Sequence, residues 1–191
     1  MNPRSLTVLG LTVLLVATSC SRRRPAAAPP VTPSPEVVSD DRAVSDSIAR
    51  AAAMRDSAAR AERARVERET ARARLEAAIY FDFDRADISS AARVTLDAKL
   101  DILTASPAVR MLISGHADER GSDEYNLALA QRRAAAAKRY LVQRGVAEDR
   151  LEVISFGEER PMCTVSDEVC WTRNRRDEFE IIAGLDAIAV R

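Results

Sequence analysis

Residues 109–145, VRMLISGHADERGSDEYNLALAQRRAAAAKRYLVQRG, contain the strand and the helix around which we expect the fold to form. The first six residues are an apolar run of strand length that a glycine closes. Ser122, followed by two acidic residues, is a typical helix start, because its hydroxyl can cap the first turn. Gly145 is the expected end of that helix. Its apolar face is predicted to consist of Leu127, Ala130, Ala134, Ala137 and Leu141.

The flanking sequence continues the alternation of strand and helix. Residues 79–83 (IYFDF) predict a strand, and residues 89–105 carry a helical apolar stripe. Residues 151–156 (LEVISF) and 177–183 (DEFEIIA) predict two more strands. The predicted order is β-α-β-α-β-β, an α+β fold in which the helices pack on one face of a small mixed sheet.

Composition places this folded domain at residues 79–191. All eight aromatic residues lie at or after Tyr80, so an ordinary core is expected only in this part of the chain. The chain has 29 basic and 29 acidic side chains. This balance argues against a nucleic-acid partner, which would favour a basic excess.

The N-terminal residues have the layout of an export signal. Arg4 precedes an apolar run that is too short to span a bilayer as a helix, and small residues follow it. Cys20 comes directly after them, so residues 1–19 resemble a bacterial lipoprotein signal peptide whose next residue, Cys20, is lipidated. The alternative is an ordinary signal peptide with an incidental cysteine.

Two further segments separate Cys20 from the folded domain. Residues 20–39 are rich in proline and predict a semi-stiff linker. Residues 40–78 are rich in Ala, Arg and Glu without Gly or Pro, which predicts a charged, solvated helical spacer. A helix that docks a partner or weakly self-associates is the alternative.

The remaining cysteines, Cys163 and Cys170, form a candidate pair. Export permits a disulfide between them, and two free thiols are the alternative. The only histidine, His116, is far from both in sequence, so we expect no metal site and assign it a structural role. No HExxH or Gly-x-Ser-x-Gly motif occurs. We therefore expect no enzyme and no cofactor.

Five segments in order resemble the OmpA-like C-terminal peptidoglycan-binding domains, most closely those of the peptidoglycan-associated lipoproteins. They are FDFDRADI (81–88), GHADERGSDEYNLALAQRRA (115–134), YLVQRGV (140–146), ISFGEERP (154–161) and NRR (174–176). The sequence departs from the family pattern at Asp177, where an apolar residue is more usual, and in the cysteine-bearing segment before it.

The resemblance implies a function in the cell envelope. It implies that the protein binds the diaminopimelate-containing peptide stem of peptidoglycan non-covalently. It also implies that lipid on Cys20 anchors the protein to the periplasmic face of the outer membrane. It further implies a TolB-like periplasmic partner within a Tol-Pal-like system that acts in envelope integrity and cell division. The alternative is an OmpA-like envelope module whose main role is to bind a periplasmic protein.

The chemistry of the ligand sets what its site needs. The free end of diaminopimelate is a zwitterion, so the site requires an acidic acceptor beside a basic donor, and arginine can grip a carboxylate with two N–H groups. The resemblance maps the acidic ligand onto Asp118 and the arginine onto Arg133. It maps further polar contacts onto Asp87, Asn126 and Arg175.

The residues themselves leave other roles open. Asp118 is also a plausible turn residue, and Arg133 a solvated helix residue. Asp87 could instead cap the helix that follows, and Asn126 could be a structural hydrogen-bonding residue. Of Arg175 and Arg176, we expect one to contact the ligand and the other to stabilise the fold.

Overall fold

The computed structural model describes residues 39–189. By its contacts the chain divides between Asp46 and Ser47, and all the strands described below belong to the second unit. In chain order the helices and strands are α1 (Ser39–Glu76), β1 (Ile79–Tyr80), α2 (Ser90–Ala105), β2 (Arg110–Gly115), α3 (Asp123–Gln143), β3 (Leu151–Ser155), α4 (Glu168–Asn174) and β4 (Arg176–Ala183).

The strands form one mixed sheet in the order β1-β4-β2-β3. Strand β2 is central: it pairs in parallel with β3 and antiparallel with β4, and β4 pairs antiparallel with β1. Helix α3 is the crossover that a parallel β2–β3 pair requires. The predicted α+β class and the small mixed sheet are confirmed.

Serine caps set the starts of the two long helices in the domain. The Ser89 hydroxyl accepts from the backbone N–H of Ala92, and the Ser122 hydroxyl accepts from that of Tyr125. The prediction that α3 begins after Ser122 is therefore confirmed. Because Ser89 is the cap of α2, the alternative role of Asp87 as that cap is wrong.

The hydrophobic core lies between the sheet and helices α2 and α3. Ile113 and Phe179 face each other across β2 and β4 and are almost fully buried. The predicted apolar face of α3 enters this core through Ala134, Ala137 and Leu141, whereas Leu127 is 47% exposed. Leu129, which the predicted face omits, is buried instead, so the buried face at the N-terminal end of α3 is shifted from the predicted one.

The core also includes the end of helix α1. Leu75 is fully buried, and the Lys99 ammonium donates to the backbone carbonyls of Arg74, Leu75 and Ala77 at 2.6–2.9 Å. Lys99 therefore satisfies carbonyl groups that every helix leaves unpaired at its C-terminus. The core therefore begins within helix α1, whereas the sequence predicts that the folded domain starts at residue 79.

Most of helix α1 from residue 41 onward is exposed, as predicted for a charged spacer. Arg65 pairs with Glu62 and Glu69, and Arg72 pairs with Glu76. Such exposed pairs add only tenths of a kcal/mol each. Within residues 39–189, no helix combines the length and hydropathy that a bilayer-spanning segment needs.

Two local structures differ from the sequence prediction. Strand β1 ends at Tyr80, and Asp84 has a positive φ of 54°, so the chain turns away from the sheet where a five-residue strand was expected. The segment expected to be a loop before β4 contains helix α4, which Asp167 caps. Its seven residues are too few to show a helical apolar period.

Candidate functional site

A cleft of about 230 Å³ lies where the β1–α2 loop, the β2–α3 loop and the first half of α3 meet. The β2–α3 loop places Asp118 and Arg120 there, and Arg175 reaches it from the end of α4. The cleft is lined by Phe83, Asp84, Asp118, Arg120, Gly121, Tyr125, Asn126, Leu129, Arg133 and Arg175. The loops and α3 thus bring together four of the five predicted binding residues.

Asp118 is buried and accepts four hydrogen bonds. Its Oδ1 accepts from the backbone N–H and the Nε of Arg120, both at 3.1 Å. Its Oδ2 accepts from Arg120 Nη2 at 2.6 Å and from Arg175 Nη1 at 3.1 Å. Burial alone would raise the pKa of Asp118, but the bonds from these two arginines hold that pKa below its usual value. The carboxylate therefore remains ionised at neutral pH.

Arg133 is fully buried beneath the cleft. Its Nε donates to the carbonyl of Arg85 at 2.8 Å, and its Nη1 and Nη2 donate to those of His116 and Asp82 at 3.0 Å. Its guanidinium also lies 5.1 Å from the ring centre of Phe81. Burial lowers the pKa of Arg133 to about 10, so it stays charged at neutral pH. Arg133 thereby ties the β1–α2 loop to the end of β2.

Arg175 lies on the buried side of Asp118. Its Nε donates to the carbonyl of Phe81 at 3.1 Å, and its Nη2 donates to Glu168 at 2.6 Å and Thr172 at 2.9 Å. Arg175 therefore holds the Asp118 carboxylate from its buried side and joins it to α4.

Asn126 is buried at the start of α3, one turn from the cap. Its amide nitrogen donates to the carbonyl of Arg120 at 3.2 Å and also to Glu158. Because this bond fixes the β2–α3 loop, the structure gives Asn126 a structural contact as well as a place in the cleft wall.

Asp87 does not belong to the cleft. Its side chain is exposed and pairs with Arg85 at 2.9 Å, and it is absent from the cleft lining. The predicted contact through Asp87 is therefore corrected: the turn at Asp84 brings that earlier carboxylate to the cleft, where it accepts from the Tyr125 hydroxyl. The sequence offers three aspartates in this loop, Asp82, Asp84 and Asp87, and does not show which one the turn directs inward.

Arg120 is a residue of the cleft that no sequence motif predicted. Its guanidinium carbon lies 3.9 Å from the ring centre of Phe83 and 4.1 Å from that of Trp171, so two aromatic faces enclose it. The spacing of two residues from Asp118 was visible in the sequence. The two rings come from distant parts of the chain, so no local pattern could reveal the stack.

Helix α4 carries one of these rings into position. The Trp171 indole N–H donates to Glu119 at 3.1 Å. Cys163 and Cys170 are joined by a disulfide, which closes the segment that leads into α4. The part of the sequence that departs from the family pattern thus supplies Trp171, which stacks on Arg120 of the cleft.

His116 lies outside the cleft lining. It is buried, its ring stacks on Phe156 with centres 5.5 Å apart, and neither ring nitrogen has a hydrogen-bond partner among the described residues. Burial, followed by the nearby charge of Arg176, lowers the pKa of His116 to about 4, so the ring is neutral at pH 7. Over residues 39–189 no cluster of three potential metal ligands is present.

Comparison with known proteins identifies the fold and the family. The OmpA family model matches residues 80–175. The peptidoglycan-associated lipoprotein of Rhizobium meliloti is 49% identical over 98 residues, which is 51% of this chain and 56% of that protein. Its counterpart in Pseudomonas aeruginosa is 46% identical over 101 residues, 53% of this chain and 60% of that protein. The chain thus matches less than two thirds of the length of these relatives.

Solved structures agree with this result. The crystal structure of the peptidoglycan-associated lipoprotein from Burkholderia pseudomallei has 38% sequence identity and a TM-score of 0.53, and the match covers 55% of this chain and 88% of that one. The C-terminal domain of Helicobacter pylori MotB, at 20% identity and a TM-score of 0.51, shares the fold alone. From the ordered motifs, the mixed sheet and these matches, the chain belongs to the OmpA family.

Proposed function

We propose that this protein binds the diaminopimelate-containing peptide stem of peptidoglycan non-covalently in the cleft around Asp118. The observation that carries the proposal is the placement of an ionised carboxylate beside arginine guanidinium groups in one open cleft. The relatives named peptidoglycan-associated lipoproteins support the same ligand class.

The charges of the cleft suit an amino-acid zwitterion. Asp84 and Asp118 supply acceptors for an ammonium, and the guanidinium groups of Arg120, Arg133 and Arg175 supply positive charge that favours a carboxylate. Asp118 is held from the buried side by Arg175, so it keeps its position when a ligand approaches from the open side. The role is binding, and we propose no catalytic step, since the only histidine has a buried, neutral ring.

Sedimentation with purified diaminopimelate-type peptidoglycan tests this proposal. The full chain should pellet with the polymer, and Asp118→Asn, which keeps the shape of the side chain, should weaken binding about 10- to 100-fold because a charge-assisted contact is lost. Arg133→Ala should abolish binding, because the β1–α2 loop and the end of β2 lose the side chain that joins them.

A matched control separates the site from general charge effects. Arg110 is an exposed residue that pairs with Glu152 on β3, away from the cleft, so Arg110→Ala should pellet like the parent protein. Circular dichroism checks that each variant is folded. Equal pelleting of the folded Asp118→Asn variant and the parent would refute the site.

We further propose that the protein is a lipoprotein of the outer membrane that tethers this membrane to the cell wall through lipid on Cys20. Cys20 and the linker lie outside the described residues, so this proposal rests on the sequence and on the names of the relatives. A role in a Tol-Pal-like system belongs to the same proposal.

A second candidate function is the binding of a periplasmic, TolB-like protein. The segment before and within α4 favours it, since Met162, Val165 and Val169 are 50%, 60% and 75% exposed. Several exposed apolar side chains in one segment are typical of a protein contact. Replacing Val165 and Val169 with serine should weaken capture of such a partner and leave peptidoglycan pelleting unchanged.

A further inference from the structure

We propose that helix α1 from Ser47 to Glu76 is a rigid arm of the folded domain, and that Lys99 and residues 184–189, which follow β4, form the joint that fixes its direction. The joint itself needs no ligand. Its use, which is to carry a pull between the lipid anchor and the cell wall without bending, rests on the proposed function.

The segment after β4 lies beside the last turns of α1. It begins with a short 3-10 turn, and Ile188, which follows this turn, is 5% exposed. Ile188 lines a groove together with Arg72 of α1. It also belongs to the same hydrophobic cluster as Leu75 of α1 and Leu103 of α2. Residues 184–189 therefore extend the core along the end of α1.

Two backbone features fix the course of this segment. Gly184 has a positive φ of 78°, and a Cβ atom there would overlap the carbonyl oxygen of Ala108, so the turn requires glycine. The backbone N–H of Ala189 donates to the hydroxyl of the fully buried Ser106 at 3.0 Å. The segment is thus attached to the fold on both sides of Ile188, which holds this side chain beside α1.

Lys99 supplies the second part of the joint. Its side chain is fully buried, and its ammonium donates to three carbonyls at the C-terminus of α1 and lies 4.2 Å from the ring centre of Phe179. If α1 tilted away, the ammonium would lose these acceptors while still buried, and a buried charge without partners is costly. The ammonium also faces the negative end of the helix dipole. Both effects oppose a change in the direction of α1.

Beyond the joint, the sequence of α1 is that of a straight helix. Residues 47–76 contain no glycine or proline, the residues at which helices most often kink. Residues 47–63 are all exposed, and Arg65 pairs with both Glu62 and Glu69 along the helix. At about 1.5 Å per residue, residues 47–63 extend about 25 Å. The arm is therefore long enough for its direction to be measured.

The joint and the cleft lie at opposite ends of strand β2. The cleft is formed after Gly115, the last residue of that strand. Val66 of α1 instead lines a groove with Ala105, which comes before the strand, and with Ala189. A pull between a ligand in the cleft and the arm therefore passes through the domain to the joint, the place where a hinge would otherwise form.

Double electron–electron resonance on the full chain tests the joint without any ligand. Spin labels are attached through Ser57→Cys on the arm and Gln131→Cys on α3, which are exposed positions, and Cys20→Ser removes the other free thiol. The parent should give one narrow distance distribution, because both labels belong to one rigid body. Lys99→Met, which removes the ammonium, and Ile188→Ser, which loosens the segment after β4, should each give a broad distribution with distances that the parent lacks.

Lys138→Met is the matched control, because the Lys138 ammonium pairs with Glu148 on the β3 side of α3 and not with the end of α1. Its distance distribution should match that of the parent. Circular dichroism checks that each variant is folded, and Ile188→Ser decides the outcome alone if Lys99→Met does not fold. A broad distribution in the parent, or parent-like distributions in the folded joint variants, would overturn the inference.

Sedimentation with peptidoglycan keeps this test separate from that of the proposed function. A chain that pellets with the polymer but shows a broad distance distribution would overturn the rigid joint and leave the proposed binding standing. A chain that shows a narrow distribution but does not pellet would support the joint and refute the proposed binding.

Discussion

At the level of single residues, Asp177 is a position that carries a cost in stability. It is fully buried in β4, and neither carboxylate oxygen has a hydrogen-bond partner among the described residues. Burial raises the pKa of Asp177 well above 3.8, and the charge of Arg133 opposes the rise. This is the position at which the family more usually has an apolar residue, and full burial of the side chain is the physical reason for that preference.

We expect Asp177→Val to raise the free energy of unfolding by about 1–3 kcal/mol at pH 7, because it removes an unsatisfied buried carboxyl group. The gain should depend on pH. Above pH 3.8 the folded parent protein keeps the proton on Asp177, whereas the unfolded chain releases it. The free energy of unfolding of the parent therefore falls as the pH rises from 3.8 toward the raised pKa. The variant lacks this fall. Urea unfolding of the parent and of Asp177→Val at pH 4.5 and at pH 7 measures the gain in stability of the variant. We expect this gain to be larger at pH 7, and a gain that shrinks with rising pH would contradict the account.

The sequence was informative about some site residues and silent about others. Asp118, Asn126, Arg133 and Arg175 lie together as the motifs implied, because three of them lie in or beside one strand–loop–helix unit. Asp87 was misplaced, since a single positive-φ residue decides which carboxylate turns inward. Arg120 needed partners from two distant segments, a relation that no local pattern records.

At the level of elements, the boundary between spacer and domain runs through helix α1. Its exposed part is built from small and charged residues, and its last turn places Leu75 in the core. Long helices with clear composition and caps were predictable from the sequence. The short elements, β1 and α4, were not, because their limits depend on contacts made after folding rather than on local propensity.

Leu75→Ala should lower the free energy of unfolding of the domain by about 2–5 kcal/mol, because it leaves a cavity in a fully packed site. Met54→Ala in the same helix is the control: Met54 is 72% exposed, so a change within about 0.5 kcal/mol is expected. Denaturant unfolding of both variants measures the difference. Equal stability of the two would show that the helix end does not belong to the cooperative core.

At the level of the whole molecule, we propose that the chain combines an anchor, a spacer and a binding domain. Cys20→Ala should abolish incorporation of labelled palmitate, because the thiol is the proposed site of acylation. Metabolic labelling followed by separation of inner and outer membranes checks this. Labelling of the variant equal to that of the parent would rule out Cys20 as the anchor.

The central claim is that the cleft around Asp118 recognises the free zwitterionic end of diaminopimelate. Competition during sedimentation with peptidoglycan tests it most directly, with free meso-diaminopimelate as the competitor and pimelate, which keeps the chain and both carboxylates but lacks the ammonium groups, as the control. The account predicts that meso-diaminopimelate releases the full chain from the pellet in a dose-dependent way and that pimelate is much weaker. Retention of the protein in the pellet at saturating meso-diaminopimelate would contradict it.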